Sequence, residues 1–364
     1  MKKETVYTLF SKIPTLETAR LTLRGMKVSD AEDMFDYAHR PQVTEYLLWM
    51  PHADIAHTKE YLTYIGQRYR TGDFFDWAVV CRENRRMMAL FSRFLSENPR
   101  GISREMARQV AECGVSRPHA MALLLAEACG VDSEKERDFF EAYFRPAIRE
   151  CQPADYRQNF YLQRIAFPEA RQGAYRFTRL EYAPCELFVA GDLRRDAEGR
   201  EIAPLGFFYN GFSYPALLSG DRVWMTVTPL EIETMAGPIS RARGNVVAFG
   251  LGLGYYPLMV AQKAEVSSVT VVERDPDVLS LFEKHLLPQF PQKHKLRLVR
   301  DDAFHYARET LPAAHADTAF CDLWHDAADG LPAYLQMKAL ETGVSGTRFD
   351  YWIEPTLLLY LENA

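Results

Sequence analysis

The sequence predicts an α/β protein whose last third forms a doubly wound, mostly parallel sheet. The run Val246–Phe249 has four apolar residues without alternation, which is typical of a strand buried on both faces. Gly250, Gly252 and Gly254 follow directly, and the segment 257–263 after them can form a helix. Glycine lets the backbone come close to a ligand, so this strand, turn and helix predict a nucleotide cradle.

Acids follow three further predicted strands. The strands are predicted over 268–272, 295–299 and 318–321, and the acids after them are Glu273, Asp301, Asp302 and Asp322. Glu273 stands about 20 residues beyond the glycines, where a βαβ unit places a carboxylate against ribose hydroxyls. Because open α/β sheets bind ligands at the carboxyl ends of their strands, these acids predict a ligand-binding edge.

The composition excludes several classes of function. The formal net charge is −6, with 43 Lys and Arg spread among 49 acids, so the sequence predicts no nucleic-acid or membrane partner. Six cysteines without a C-x-x-C pair indicate reduced thiols. No apolar run reaches the ~18 residues of a membrane span, and the polar start has no signal-peptide core. We therefore expect a cytoplasmic protein. His305 and His315 are too irregularly placed to predict a metal site, so none is assigned.

Residues 1–86 form a first predicted domain. It contains a strand over 16–24, a helix capped by Ser29, a helix over 57–69 and a strand over 77–80. The strand Glu-Thr-x-Arg-Leu-x-Leu-Arg and the helix Asp-Ala-Glu-Asp-Met-Phe resemble the opening of the GNAT acetyltransferases that modify protein N-termini. That family binds acetyl-CoA through a turn of the type Gln/Arg-x-x-Gly-x-Gly/Ala, and no such turn lies between Val80 and Gly250. The resemblance therefore implies a partial GNAT-like segment without acetyl transfer of its own.

Residues 87–174 are predicted to be helical. Ser103 and Ser116 stand as caps before two helices, and a third helix is predicted over 138–144. The first two have the spacing of a DNA-binding helix-turn-helix. The second of them is apolar over 120–126, where base contacts would need polar groups, so a packed helical hairpin is expected instead.

Two further predicted domains complete the chain, a small β subdomain over 175–239 and the nucleotide domain over 240–364. The subdomain strands are predicted over 176–182, 185–189, 206–209 and 222–227. Thr228 and Pro229 then start a linker helix. After Asp322, the nucleotide domain continues with a helix over 331–341, a strand over 348–353 and a short final helix.

The glycine spacing separates two kinds of cofactor. A dehydrogenase uses Gly-x-Gly-x-x-Gly, whereas the third glycine here comes one residue early. With the acids, this pattern resembles the class I S-adenosylmethionine-dependent methyltransferases, which have a Rossmann-like sheet. The resemblance implies that Gly250, Gly252 and Gly254 lie under the methionine and ribose. It also implies that Glu273 holds the ribose hydroxyls and that Asp302, with Ala303, faces the adenine.

A finer resemblance is to the spermidine-synthase-like branch. It rests on the β subdomain, on the strand end Val271–Pro276 and on Asp322. Those enzymes transfer an aminopropyl group from decarboxylated S-adenosylmethionine, which implies that Asp322 deprotonates a small-molecule amine. They usually carry Asp-Ser/Ala-x-Asp-Pro at this point, and this chain has Asp-Leu-Trp-His-Asp. His325 is either a second catalytic base, a pocket residue with Trp324, or packed against the following helix.

Three functions stay open on the sequence alone. The first is an S-adenosylmethionine-dependent transferase that moves a methyl or aminopropyl group. The second is a non-catalytic, regulatory protein of the same fold, and the third is a GNAT-type N-acetyltransferase. The sequence ends before the last two antiparallel strands of a typical methyltransferase sheet. The GNAT-like segment, a second subunit in a homodimer, or nothing would then cover that edge.

Overall fold

The chain forms two compact units. The computed structural model describes residues 13–17, 21–45, 49–71 and 76–363. The first unit comprises Met1–Ser92, Arg195–Glu201 and Leu361–Ala364, and the second comprises Arg93–Arg194 and Ile202–Tyr360. The finer four-part division predicted from the sequence stays a prediction.

The first unit contains a three-stranded antiparallel sheet and helices. The strands are Leu16–Glu17, Leu21–Arg24 and Ala78–Cys81. The helices are the 3-10 helix Val28–Asp30 and the α-helices Ala31–Ala38, Pro41–Thr44, Ile55–Thr71 and Arg82–Glu97, the last of which continues past Ser92. Ala31, Met34, Ala38 and Leu62 form its buried apolar cluster.

Two predictions for this unit are wrong. The strand predicted over 16–24 is two strands, since Leu16 pairs with Leu23 in an antiparallel register. Ser29 lies inside the 3-10 helix and does not cap. Instead, Asp30 accepts from the Lys27 backbone N–H at 2.8 Å and pairs with Arg24 at 2.8 Å, because its carboxylate can serve both groups.

The second unit begins with helices, three of which lie where the sequence predicted them, whereas Ile148–Glu150 and Ala170–Gln172, in the region predicted to be helical, are strands. The helices are Arg104–Glu112, Arg117–Ala128, Arg137–Phe139, the π-helix Phe140–Phe144, Arg145–Ala147, Pro153–Arg157 and Phe160–Arg164. Both predicted caps are confirmed. Ser103 accepts from the Met106 backbone N–H, and Ser116 accepts from that of His119. These bonds satisfy amides that have no partner within the first turn of a helix.

The β subdomain contains two main sheets. One has the strand order Arg222–Thr226, Phe212–Ser219, Tyr175–Tyr182 and Ala170–Gln172. The other joins Ile148–Glu150, Leu205–Phe207 and Phe188–Val189, and a strand pair is formed by Arg194–Arg195 and Glu201–Ile202. The strand predicted over 185–189 is shorter than expected, because Cys185 adopts a left-handed backbone with φ 61°.

A five-stranded parallel sheet forms the core of the second unit. Its strands are β1 (Gly244–Phe249), β2 (Val266–Glu273), β3 (Leu296–Arg300), β4 (Thr318–Cys321) and β5 (Arg348–Tyr351), in the spatial order β3-β2-β1-β4-β5. β1 is central and Val246–Phe249 is at most 3% exposed, so the prediction of a doubly buried strand is confirmed. The order reverses at β1, and such a switch point opens a crevice at the carboxyl ends of the strands.

Helices of the same unit flank the sheet. They are the α-helices Pro229–Thr234, Ala236–Arg241, Tyr255–Ala261, Pro276–Leu281, Ala303–Glu309, Ala327–Glu341 and Glu354–Asn363, the π-helix Phe282–Leu286 and the 3-10 helices Leu287–Gln289, Lys293–Lys295 and Leu311–Ala313. Among the described residues, none of these or the other helices has the length and apolarity needed to cross a bilayer.

Candidate functional site

The glycine turn, residues 250–254, lies at the carboxyl end of β1. Gly250, Gly252 and Gly254 all have positive φ, at 95°, 50° and 72°. A Cβ on Gly250 would stand 2.1 Å from the Asp322 carbonyl oxygen, and one on Gly254 would stand 2.4 Å from Phe282. Packing within the chain itself therefore requires glycine at these two positions.

Gly252 differs from the other two because its neighbour is a flexible side chain. A Cβ there would stand 2.8 Å from Cε and 2.9 Å from Cγ of Met225. Met225 belongs to the strand Arg222–Thr226 of the β subdomain. We call this strand the roof strand, because Met225 lies over the glycine turn.

Glu273 ends β2 and contacts the glycine turn directly. Its Oε2 accepts from the Leu251 backbone N–H at 3.2 Å, and its Oε1 accepts from that of Asp275 at 2.9 Å. Burial raises the pKa of the Glu273 carboxyl above its usual value, and the two backbone N–H groups oppose that rise. The structure therefore places this acid where the sequence predicted it, beside the glycines.

Asp322 follows β4 and borders the same turn. Its backbone N–H donates to the Phe249 carbonyl at 3.0 Å, which continues the pairing of β4 with β1. Its Oδ1 is buried, with no hydrogen-bond partner in the described part of the chain. Burial, and then the nearby Glu231 carboxylate, raise the pKa of Asp322 to about 8.

Glu231 is a site residue that the sequence analysis missed. It is 6% exposed and lines a small cavity together with Asp322, Gly250 and Gly252. The backbone N–H of Thr228 donates to its Oε2 at 2.8 Å, and the Thr226 hydroxyl donates to its Oε1 at 2.7 Å. The sequence does carry a signal for this residue. Thr228 and Glu231 form the Thr-x-x-Glu pattern of a capping box, in which the glutamate side chain folds back over the start of the helix.

The cavity between the roof strand and the glycine turn has a volume of about 20 Å³. That is room for about one water molecule, whereas pockets for small-molecule ligands run to about 300–1,000 Å³. Met225 and Met235 supply apolar walls, and Glu231 and Asp322 supply carboxylates. The arrangement places two carboxyl groups beside apolar side chains at one small cavity.

Among the described residues, no hydrogen bond links Asp302 to the glycine turn. Asp302 caps the helix Ala303–Glu309, with Oδ1 accepting from the backbone N–H groups of Phe304 and His305 at 3.0 Å each. Asp302 is exposed, while the neighbouring Ala303 is buried. Its proposed contact with an adenine stays a prediction.

His325 and Trp324 both pack against the helix that follows them. His325 Nδ1 lies 2.9 Å from Asp329 Oδ2, and its ring meets the Trp224 ring of the roof strand edge-on at 4.6 Å. Trp324 is 5% exposed, and a Cβ on Gly330 would stand 2.6 Å from its ring. Trp324 therefore has the packing role that was one of the alternatives predicted from the sequence. His325 packs on the same helix and also contacts Trp224 of the roof strand. No group of three or more His, Cys, Asp or Glu suited to a metal occurs in the described ranges.

The comparisons with known proteins give a family match over part of the chain and a likeness among solved structures. Residues 20–121 match the family model of the acetyltransferase (GNAT) domain. No curated protein matches the sequence. Among solved structures, spermidine synthase from Thermotoga maritima is similar at 19% identity with a TM-score of 0.25, and the match covers 35% of this chain and 45% of that one. The chain thus spans under half the length of that enzyme.

The GNAT match extends beyond the segment predicted from the sequence, which ended at residue 86. Within the described residues of the match, the strands are Leu21–Arg24 and Ala78–Cys81, followed by the helices Arg82–Glu97, Arg104–Glu112 and Arg117–Ala128. No described residue of the match forms a further strand after Cys81 that could precede a cofactor turn.

Proposed function

We propose that the second unit is a transferase that uses an S-adenosylmethionine-type cofactor and an amine acceptor. The observation that carries this proposal is the buried, unpartnered Oδ1 of Asp322 beside the glycine turn. Such an atom is costly unless a ligand or a proton satisfies it, so it marks a functional position. Glu273, at the end of β2 on the other side of β1, supports the proposal because it contacts the same turn.

The chemistry of these residues fits the cofactor, although Met225 fills the room above Gly252. Glu273 uses one oxygen for each of two backbone N–H groups, and each oxygen retains a lone pair for a ribose hydroxyl. Glu231 and Asp322 would favour a cationic centre near the cavity. The fit thus depends on displacing one flexible side chain.

The cofactor, when bound, supplies a carbon on a sulfonium whose bonding electrons leave with the sulfur as a thioether. Asp322 would accept the proton that the acceptor nitrogen must lose as its lone pair forms the new bond. A pKa of about 8 suits this role, because a general base works best when its pKa is near the working pH. Glu231 would hold the amine by charge and raise the basicity of Asp322.

The family match supports a second candidate function. The family match over residues 20–121 favours acetyl transfer by a GNAT-type domain. That activity needs an acetyl-CoA turn, which neither the sequence nor the described strands of the match supply. We therefore place it behind the first proposal.

A thermal-shift panel on the full chain separates these functions. The ligands are S-adenosylmethionine, its decarboxylated form, NAD and acetyl-CoA. A ligand at about 100 times its Kd adds about 2.7 kcal/mol to the free energy of unfolding, which raises the midpoint measurably. We expect a shift with one or both S-adenosyl compounds. A shift with acetyl-CoA alone would favour the second candidate, and a shift with NAD alone would overturn the first.

Turnover then separates an enzyme from a non-catalytic binding protein. With a polyamine panel as acceptors, the chain should release a thioether product from the bound S-adenosyl compound. Asp322→Asn should lower turnover about 100-fold or more, since general base catalysis contributes about 10²–10⁴-fold, and should leave Kd nearly unchanged. Binding without a thioether product from any acceptor would favour the non-catalytic alternative.

A further inference from the structure

The roof strand is the part of the site that can move most readily. It lies at the edge of its sheet and pairs only with Phe212–Ser219 among the described strands. That pairing is interrupted by a register shift between Leu217 and Leu218, opposite Val223 and Met225. An edge strand with a bulge has fewer backbone hydrogen bonds to break than a central strand.

Side-chain contacts hold this strand over the carboxyl edge of the parallel sheet. The Trp224 ring meets His325 on one side at 4.6 Å and Tyr175 on the other at 6.2 Å. The Tyr175 hydroxyl in turn donates to Asp275, just beyond the end of β2, at 2.8 Å. These contacts therefore reach from the end of β2 to the residues after β4, and Met225, the next residue of the roof strand, lies against Gly252.

The Met225 side chain occupies the space that a ligand on the glycine turn would need. Its Cγ, sulfur and Cε stand 2.9, 3.5 and 2.8 Å from a Cβ built on Gly252. With Met225 there, about 20 Å³ remains in the cavity. Met225 is only partly buried, and methionine is flexible, so it can leave without opening the core.

We propose that Met225 is a displaceable plug that occupies the subsite for the thioether or sulfonium chain of the ligand, and that the roof strand is the lid that carries it. The inference rests on the proposed function, since the ligand is the S-adenosyl compound assigned there. The Cγ–S–Cε group of methionine is a neutral thioether, as is the sulfur of S-adenosylhomocysteine, and it has the same Cγ–S linkage that S-adenosylmethionine carries as a sulfonium. The chain therefore fills the subsite with a group of the same size and shape as the sulfur end of the ligand.

Binding then requires the lid to open first. The apparent affinity is reduced by the fraction of molecules in which the subsite is free, so removing the plug should tighten binding. Truncating Met225 to alanine leaves the backbone of the roof strand and the rings of Trp224 and His325 in place. It frees the subsite without touching Glu231, Glu273 or Asp322.

The test is calorimetric titration of the full chain with S-adenosylmethionine and with S-adenosylhomocysteine. Wild type is compared with Met225→Ala, and with Met259→Ala as the matched control, since Met259 packs on the same core but does not line the cavity. We expect Met225→Ala to bind at least about tenfold more tightly than wild type, which corresponds to a free subsite in about one tenth of the wild-type molecules. Met259→Ala should bind with the affinity of wild type.

A second readout follows the plug itself. In protein labelled with [methyl-¹³C]methionine, the Met225 signal is assigned by its absence from Met225→Leu. Saturating ligand should move this signal to the position of a solvent-exposed methionine, while the Met259 signal stays in place. This readout is independent of turnover.

The outcomes separate the two proposals. If wild type and Met225→Ala bind with equal affinity and the Met225 signal does not move, the plug is overturned and the proposed function stands. If no variant binds either compound, the proposed function fails and the plug fails with it. Binding by Met225→Ala alone would support both, with a lid that is closed in nearly all wild-type molecules.

Discussion

Replacing Asp322 with asparagine should stabilise the protein increasingly as the pH rises from about 4 to about 8, and should have no effect below about pH 4. Burial and Glu231 raise the pKa of Asp322 from 3.8 to about 8 in the folded chain. Between these values the folded protein holds a proton that the unfolded chain has lost. The unfolded state binds fewer protons, so the free energy of unfolding falls as the pH rises through this window. Asparagine is neutral at every pH in this window, so the variant does not lose free energy of unfolding in this way as the pH rises.

The magnitude follows from the width of the window. Each pH unit costs about 1.4 kcal/mol, so about four units give a ceiling of about 6 kcal/mol. Asp322 is partly exposed as a residue, and solvent near it should reduce this to about 2–4 kcal/mol. At about 2–4 °C per kcal/mol, Asp322→Asn should melt roughly 5–10 °C above wild type at pH 8.5, about 1–3 °C above it at pH 5, and together with it below about pH 4.

The assay is thermal unfolding of the full chain, followed by circular dichroism at half-unit steps from pH 5 to pH 8.5. Asp221→Asn serves as the matched control, because Asp221 is exposed in the turn before the roof strand. It should track wild type at every pH. A difference between Asp322→Asn and wild type that stays constant across the range would refute the reasoning, since it would show that Asp322 ionises normally in the folded state.

Three further predictions concern the scaffold of the second unit, each measured by urea unfolding. Gly250→Ala should cost more than about 2 kcal/mol, because its Cβ would meet the Asp322 carbonyl at 2.1 Å. Gly220→Ala is the matched control, with a positive φ as at Gly250 but open space around it, and should cost about 1 kcal/mol from backbone strain alone. Equal costs would show that packing does not require Gly250. Ser116→Ala should cost about 1 kcal/mol through its lost cap, and a neutral effect would contradict the capping bond. Arg241→Met should cost about 1–2 kcal/mol, because it removes two hydrogen bonds from the buried Asp350, while Arg348, 3.3 Å away, still neutralises part of that charge. Asp350→Asn combined with Arg241→Met should recover part of that loss, and no recovery would argue against the charge as the cause.

The parallel sheet was predictable because its signals are local. The unbroken apolar run at Val246–Phe249 sets a doubly buried strand, and the acids Glu273 and Asp322 follow their strands directly. Parallel pairing then brings the strand ends to one edge without further information. The role predicted for Asp302 is not tested in this way, since an aspartate just before a helix can also satisfy that helix's own amides.

The roof of the site was not predictable, because it depends on pairing between distant strands. Phe212–Ser219 is an interior strand of the four-stranded sheet and was missed, since Pro215 usually argues against such a position. The structure tolerates this proline, whose carbonyl accepts from the Val227 backbone N–H. Without this strand, nothing in the sequence places Met225 over Gly252.

The central claim is that the glycine turn and its acids bind an S-adenosyl compound, and equilibrium dialysis with radiolabelled S-adenosylmethionine tests it most directly. We expect one mole of label bound per mole of chain, displaced by S-adenosylhomocysteine but not by NAD or acetyl-CoA. Glu273→Ala should weaken this binding at least tenfold, because the carboxylate that would hold the ribose is gone. Absence of bound label in both wild type and Met225→Ala, or displacement by acetyl-CoA, would contradict the account.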